Sequence, residues 1–263
     1  MKTRLTIAAA LLASATLPTA AHAAISITGI SGDPGFRTGV INYSGTGGAL
    51  PNNQSSVAVS VGRISLTGTD TSNNAPVSFL AYCIDIFDYL KTGLFDIANF
   101  TFDPAKEQAL KVLITNTAGA IGAVESEALT AAQKAEQKKN VSSAIQMAVW
   151  EVAFETAGNT YSTTAGDFWM NGSGLTGLNG GVSSAQTLAQ GFLDNLNTNA
   201  WSQADPNWSL KMLMPQDGAN NQTQAFLVST PVPEPSTWAM LILGFGVVGH
   251  TLRGRRRPVL RYI

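Results

Sequence analysis

Two side chains in this chain could form a covalent bond with each other. Cys83, the one cysteine, lies in the apolar run Phe79-Leu80-Ala81-Tyr82-Cys83-Ile84-Asp85-Ile86-Phe87. Sixty-three residues later Gln146 lies in Ala144-Ile145-Gln146-Met147-Ala148-Val149-Trp150-Glu151-Val152. If the fold holds the two together, the thiolate can attack the glutamine amide, expel ammonia and leave an internal thioester, with proximity supplying a large effective molarity. Water hydrolyses such a bond, so the site must be apolar and aromatic-walled; Tyr82, Phe87 and Trp150 are the candidate walls. Asp85 and Glu151 could polarise the acyl group or an incoming nucleophile. Each residue also admits a plainer role: an inert buried thiol, a cysteine kept for an intermolecular disulfide, ordinary core aromatics, and carboxylates that are solvated or hydrogen-bonded.

What the chain lacks removes most other chemistry. Its two histidines are His22 and His250, so no imidazole lies between residues 24 and 233. A Ser/His/Asp triad, a Cys/His dyad and histidine-ligated zinc or haem are excluded there. One cysteine excludes an intrachain disulfide and CxxC-type metal sites; no metal and no cofactor is expected. Asp70-Thr-Ser-Asn73-Asn74 and Asp205-Pro206-Asn207 have too few ligands for calcium and read as turns. The pairs Asp85/Asp88 and Glu151/Glu155 are what a histidine-independent polysaccharide hydrolase would have to use, but such spacings are common. Gly172, Gly174 and Gly177 lie in a loop and not between a strand and a helix, so no phosphate cradle is present.

The elements that must position Cys83 and Gln146 differ in kind. From Ala24 to about Ile84 the pattern is β: Ile25-Ser26-Ile27, Val57–Val61 and Ile64–Thr67 alternate, Val77–Ile84 is a more continuous apolar strand, and Gly45–Asn53 and Asp70–Pro76 punctuate them. From Asp103 the period becomes helical. Asp103-Pro104 predicts a capped helix start leading through Leu110 and Leu113. Glu127–Lys139 predicts a solvated helix, and Asn140, Ser142 or Ser143 a cap for a separate helix through Ile145, Val149 and Val152. Thr156–Gly181 predicts a long surface loop carrying Phe168 and Trp169. Ser183 or Ser184 opens a helix through Leu188, Phe192, Leu193 and Leu196, and Trp208–Met214 with Gln222–Val228 predicts a closing hairpin. The expected class is α+β: an antiparallel β-rich sandwich or barrel with an inserted helical subdomain, as one domain over residues 24–230.

The ends carry a different signal. Residues 1–23 combine Lys2 and Arg4, the 13-residue apolar stretch Leu5–Leu17 and Ala21-His22-Ala23, which predicts a secretory signal peptide cut by signal peptidase after Ala23. At the other end, Pro231–Thr237 is a proline-stiffened linker. It precedes the apolar run Trp238–Leu252 and the basic group Arg253, Arg255, Arg256, Arg257 and Arg261. Fifteen residues at about 1.5 Å each fall somewhat short of a roughly 30 Å hydrocarbon core, which arginine snorkelling and Trp238 extend. A transmembrane helix at 238–252, with its arginines cytoplasmic and the preceding domain outside, is therefore expected. Between the ends, residues 24–232 hold nine Lys and Arg against sixteen Asp and Glu, a net charge of −7 that disfavours nucleic acid and anionic membranes.

The order Pro233-Glu234-Pro235, Trp238-Ala-Met, Gly244-Phe-Gly and then an arginine cluster resembles the PEP-CTERM sorting signal of Gram-negative bacteria, with Gly254 interrupting the arginines as a small departure. The resemblance covers residues 231–257 and implies recognition by an exosortase, a transient inner-membrane anchor, and delivery to the cell surface or the exopolysaccharide matrix. Tyr82-Cys83-Ile84-Asp85 followed by Gln146-Met147-Ala148-Val149-Trp150 resembles the thioester-domain pattern of bacterial surface adhesins. That resemblance implies a β-rich fold with a helical subdomain, Cys83 as acyl acceptor, Gln146 as acyl donor, and capture of an amine or hydroxyl on a surface or matrix. The expectation is a non-enzymatic surface protein attaching covalently through Cys83 and Gln146. The alternatives are a structural matrix protein with an inert cysteine and, third, a histidine-independent hydrolase.

Overall fold

The computed structural model describes residues 24–177, 182–216 and 221–229. The expected signal peptide, the sorting segment with its helix at 238–252, and residues 217–220 of the expected hairpin turn lie outside the described residues. Nine strands form two sheets. β1 (Ala24–Gly32), β4 (Ile64–Asp70), β5 (Pro76–Cys83), β9 (Gln224–Ser229), β8 (Trp208–Pro215) and β6 (Gly93–Asn99) close, in that order, into an antiparallel barrel. β3 (Ser56–Val61), β2 (Arg37–Tyr43) and β7 (Phe168–Asn171) form a second antiparallel sheet. The class is α+β, with the helices inserted between the barrel strands β6 and β8.

Period-two alternation sends neighbouring residues of a strand to opposite faces, and here the two faces bury against different cores. Ile25, Ile27, Leu66, Ala81, Cys83, Phe95, Leu213 and Phe226 share one core with Trp150 and Met147. Tyr82, Leu210, Met212 and Ala225, one residue out of phase, join a second core with Leu110, Leu113, Ile145, Val149 and Leu193. That second core is made with α1 (Pro104–Asn116), α3 (Ala131–Phe154) and α5 (Ala185–Asn197).

The caps follow the expected chemistry at two helices. The Asp103 side chain accepts from Ala105 N–H at the start of α1, with proline at the first turn, and Ser184 accepts from Thr187 N–H at the start of α5. Such caps contribute about 1 kcal/mol each. In contrast, the two helices expected over 127–153 are a single helix. α3 runs 24 residues and opens later, at a Thr130/Gln133 capping box. Asn140, Ser142 and Ser143 cap nothing, because their polar atoms bond across to neighbouring elements. Asn140 accepts from Arg37 Nε at 2.7 Å and donates to Ser183 O at 2.8 Å; Ser142 Oγ accepts from Arg63 N–H at 2.7 Å; Ser143 Oγ donates to Val61 O at 2.7 Å. From Asn140 to Ala153 every residue of α3 is buried, so this stretch is a helix enclosed on all sides.

The expected surface loop at 156–181 is also corrected. It holds β7 and a short helix, α4 (Ser173–Thr176), besides α2 (Ala120–Ala123) earlier in the chain. Phe168 and Met170 are buried in the first core. Space for α4 comes from Gly39 in β2: a Cβ there would stand 2.5 Å from Leu175 Cδ1.

Candidate functional site

Cys83 ends β5, and its surroundings follow from where the neighbouring strand begins. β4 starts at Ile64, opposite Ala81, so it stops short of Cys83. The Ile84 N–H turns the other way, to Thr223 O at 3.2 Å. The N–H and C=O of Cys83 thus face a side with no strand, and a buried unpaired peptide group is costly. Gln146, projecting from α3, fills the place. Cys83 N–H donates to Gln146 Oε1 at 2.9 Å, and Gln146 Nε2 donates to Cys83 O at 2.8 Å. The primary amide continues the ladder where β4 ends, and the amide carbon is held beside the residue that bears the thiol. Both residues are buried.

This geometry suits acyl chemistry in one respect. Oε1 is the atom on which negative charge would develop during attack at the amide carbon, and it already accepts a backbone N–H. The thiol itself is quiescent. Burial pushes it up to about 12; the Asp85 carboxylate adds to that shift, while the Asp85 backbone and the side chains of Gln224 and Trp150 oppose it. Its proton is donated to Asp85 O, which also accepts from Gln222 Nε2 at 3.1 Å. Burial raises the Asp85 carboxyl above its ordinary range, with the Asp88 charge adding to the shift and backbone N–H donors opposing it. One of those donors is Phe87 N–H, at 2.8 Å.

A cavity of about 380 Å³ reaches the pair. Its buried end is lined by Cys83, Gln146 and Trp150 and its exposed end by Phe36 and Tyr89, with Asp88 the one charged residue lining it among the described residues. Phe87 stands beside the site in an edge-on aromatic cluster with Tyr43 and Phe154. Trp150 is therefore at the site. Tyr82 is not: strand alternation turns it to the helical core, where it lines a separate cavity with Arg63 and Trp208. Gln224 is a residue that sequence reasoning missed. It is the cross-strand partner of Cys83, on the strand paired to the other edge of β5. A sequence that shows strands does not show which strand lies beside which. Pro233, Glu234, Pro235, Trp238, Arg255, Arg256 and Arg257 lie outside the described residues.

The other candidate carboxylates are occupied elsewhere. Asp70 and Asp205 accept within their own turns, from Ser72 and Asn207. Glu155 accepts from Thr156 N–H, Asn159 Nδ2, Asp167 N–H and Phe168 N–H, which takes up both of its oxygens. Glu151 Oε1 accepts from Ser162 N–H at 2.7 Å, and its Oε2 is buried with no partner. Burial, reinforced by Glu155 and opposed by the Ser162 bond and Lys106, pushes Glu151 up to about 8. The folded state then holds a proton that the unfolded chain releases at its ordinary carboxylate pKa. The resulting stability is fully present below that ordinary value of 4.5 and is lost as pH rises through about 8. Thermal melts across that window should show Tm falling with pH in the wild type and a flatter dependence in Glu151→Gln; identical slopes would contradict the assignment.

Residues 231–257 match the family model described as the PEP-CTERM protein-sorting motif. A signal of this family implies export, a membrane-anchoring segment and sorting to the cell surface by exosortase. No curated protein matches the chain. Among solved structures, the chain is similar to the N-terminal thioester domain of fibronectin-binding protein SfbI from Streptococcus pyogenes, with 16% identity, 74% of this chain and 95% of that one covered, and a TM-score of 0.34. It is also similar to the N-terminal thioester domain of the protein F2 like fibronectin-binding protein from Streptococcus pneumoniae, with 16% identity, 78% and 98% covered, and a TM-score of 0.31. Likeness at that level carries no argument about chemistry, which rests on the side chains described above.

Proposed function

We propose that this is an exported surface-attachment protein in which Cys83 and Gln146 close into an internal thioester and then pass the Gln146 acyl group to an amine or hydroxyl on a neighbouring surface or on the exopolysaccharide matrix. The observation that carries this reading is the two-point clamp of the Gln146 amide on the peptide groups of Cys83, at the buried end of a cavity that opens to solvent. In the closing step the Cys83 proton passes to Asp85, Sγ attacks the Gln146 amide carbon, and the Cys83 N–H holds the oxyanion. The C–N bond then breaks, and the leaving nitrogen takes the proton back and departs as ammonia. A thiol with a pKa near 12 is thiolate in only about one molecule in 10⁵ at neutral pH. Such a step is slow, which a bond made once per molecule tolerates. The chain acts once, as a coupling reagent and not as an enzyme, with signal peptidase and exosortase as processing partners.

The same clamp also favours a structural reading, in which the amide does no more than replace the missing strand and Cys83 stays an inert thiol. Peptide mapping after methylamine treatment separates the two. The proposal requires an N-methylated Gln146 side chain in the wild type and none in Cys83→Ala; unmodified Gln146 in both proteins would leave the structural reading.

A further inference from the structure

Of the buried side-chain atoms that lack a hydrogen-bond partner among the described residues, two belong to residues flanking the Cys83 sulfur. One is Trp150 Nε1. Trp150 is one helical turn on from Gln146 on α3, which places the two on the same face; it is 3% exposed and lines the same cavity. The other is Gln224 Oε1. Gln224 is fully buried and directly opposite Cys83 across the β5–β9 ladder, so their side chains share a face. Its Nε2 makes one long contact, to Gln222 O at 3.5 Å. Buried polar groups left this poorly satisfied are uncommon, and two beside one sulfur call for a physical reason.

The state of the sulfur supplies one. In the neutral thiol the proton is directed at Asp85 O, and thiol sulfur is a weak acceptor, so the indole and amide N–H groups gain little from it. A thiolate is a strong, charged acceptor. The ionisable groups near this sulfur are the carboxylates Asp85 and, beyond it, Asp88, and both oppose a negative sulfur. Any stabilisation of a thiolate here must therefore come from neutral donors.

Resting on the thioester reading above, we infer that Trp150 and Gln224 are the donors that receive the Cys83 thiolate, and so set how readily the Gln146 acyl group passes to a nucleophile. In the transfer step a primary amine attacks the Gln146 acyl carbon. The C–S bond breaks with its electron pair leaving on Sγ, where Trp150 Nε1–H and Gln224 Nε2–H bond to it. The proton of the new ammonium then moves to Sγ, which yields a secondary amide on Gln146 and a Cys83 thiol. The two N–H groups have a good acceptor only while the sulfur is charged, so they lower the barrier without stabilising the thioester. The same bonds assist closure, where the thiolate is the attacking species.

The test uses the intact exported domain carrying Trp150→Phe, which keeps the ring and removes the N–H, and separately Gln224→Met. Methylamine coupling followed by mass spectrometry should slow about tenfold in each, less than for loss of an oxyanion donor because sulfur is the softer acceptor. Alkylation of the thiol released after coupling should shift to higher pH in both, a change that a merely packing role would not produce. Wild-type rates and an unchanged pH profile in the variants would overturn this inference while leaving the thioester in place. A wild type that never loses ammonia would overturn the thioester and this inference together. If Trp150→Phe does not fold, Gln224→Met decides alone.

Discussion

Gln146→Leu is expected to lose far more stability than Cys83→Ala, although both remove one half of the same pair. The Gln146 amide is the sole partner described for the N–H and the C=O of Cys83 on the side where β4 has ended. Leucine fills similar space but offers neither a donor nor an acceptor. Two buried peptide groups would then be unsatisfied, at about 1–3 kcal/mol each, or about 2–6 kcal/mol together. Cys83→Ala deletes one small buried atom and leaves the clamp intact, at about 1–2 kcal/mol. Against a total stability of about 5–15 kcal/mol, the first change is severe and the second is tolerated. Urea unfolding of the two variants measures the difference, and equal losses would show that the amide does not complete the sheet edge.

Glu155→Ala is the other large effect. Glu155 sits just past the end of α3, and its carboxylate gathers four donors from both ends of the segment 156–168. The loop packs so closely around it that a Cβ on Gly166, at φ +120°, would fall 1.9 Å from Glu155 Oε2. Alanine at 155 leaves three backbone N–H groups and an asparagine amide without their acceptor. A loss of about 3–5 kcal/mol is expected, as for breaking other buried charged networks. The segment should also become a protease target, since these bonds pin the chain that leads into β7. Unchanged stability together with an uncut loop would contradict this role.

The residues that carry the chemistry were more legible than the elements that hold them. Cys83 and Gln146 stand out because a lone cysteine in an apolar strand and a glutamine in an apolar helix are local features. The strands around Ile25, Val57, Ile64 and Val77 announced themselves by alternation, and α1 and α5 by their caps. The single helix α3 was hidden because Asn140, Ser142 and Ser143 are cap-forming types, and their partners, Arg37, Arg63 and Val61, lie some eighty to a hundred residues away. β7 was hidden because a run of Gly, Ser, Thr and Asn reads as loop unless the buried Glu155 that organises it is known. The displacement of Tyr82 from the site follows from adjacency: a residue next to Cys83 on a strand must face the other way. Gln224 required the strand order, which no local pattern contains.

The central claim, that Cys83 and Gln146 are joined, is tested most directly by the intact mass of the untreated exported domain beside that of Cys83→Ala. The account predicts a wild type lighter than its sequence mass by one ammonia, with no alkylatable thiol under native conditions. It also predicts a Cys83→Ala variant at its full sequence mass. A wild type at full sequence mass with one alkylatable thiol would contradict it.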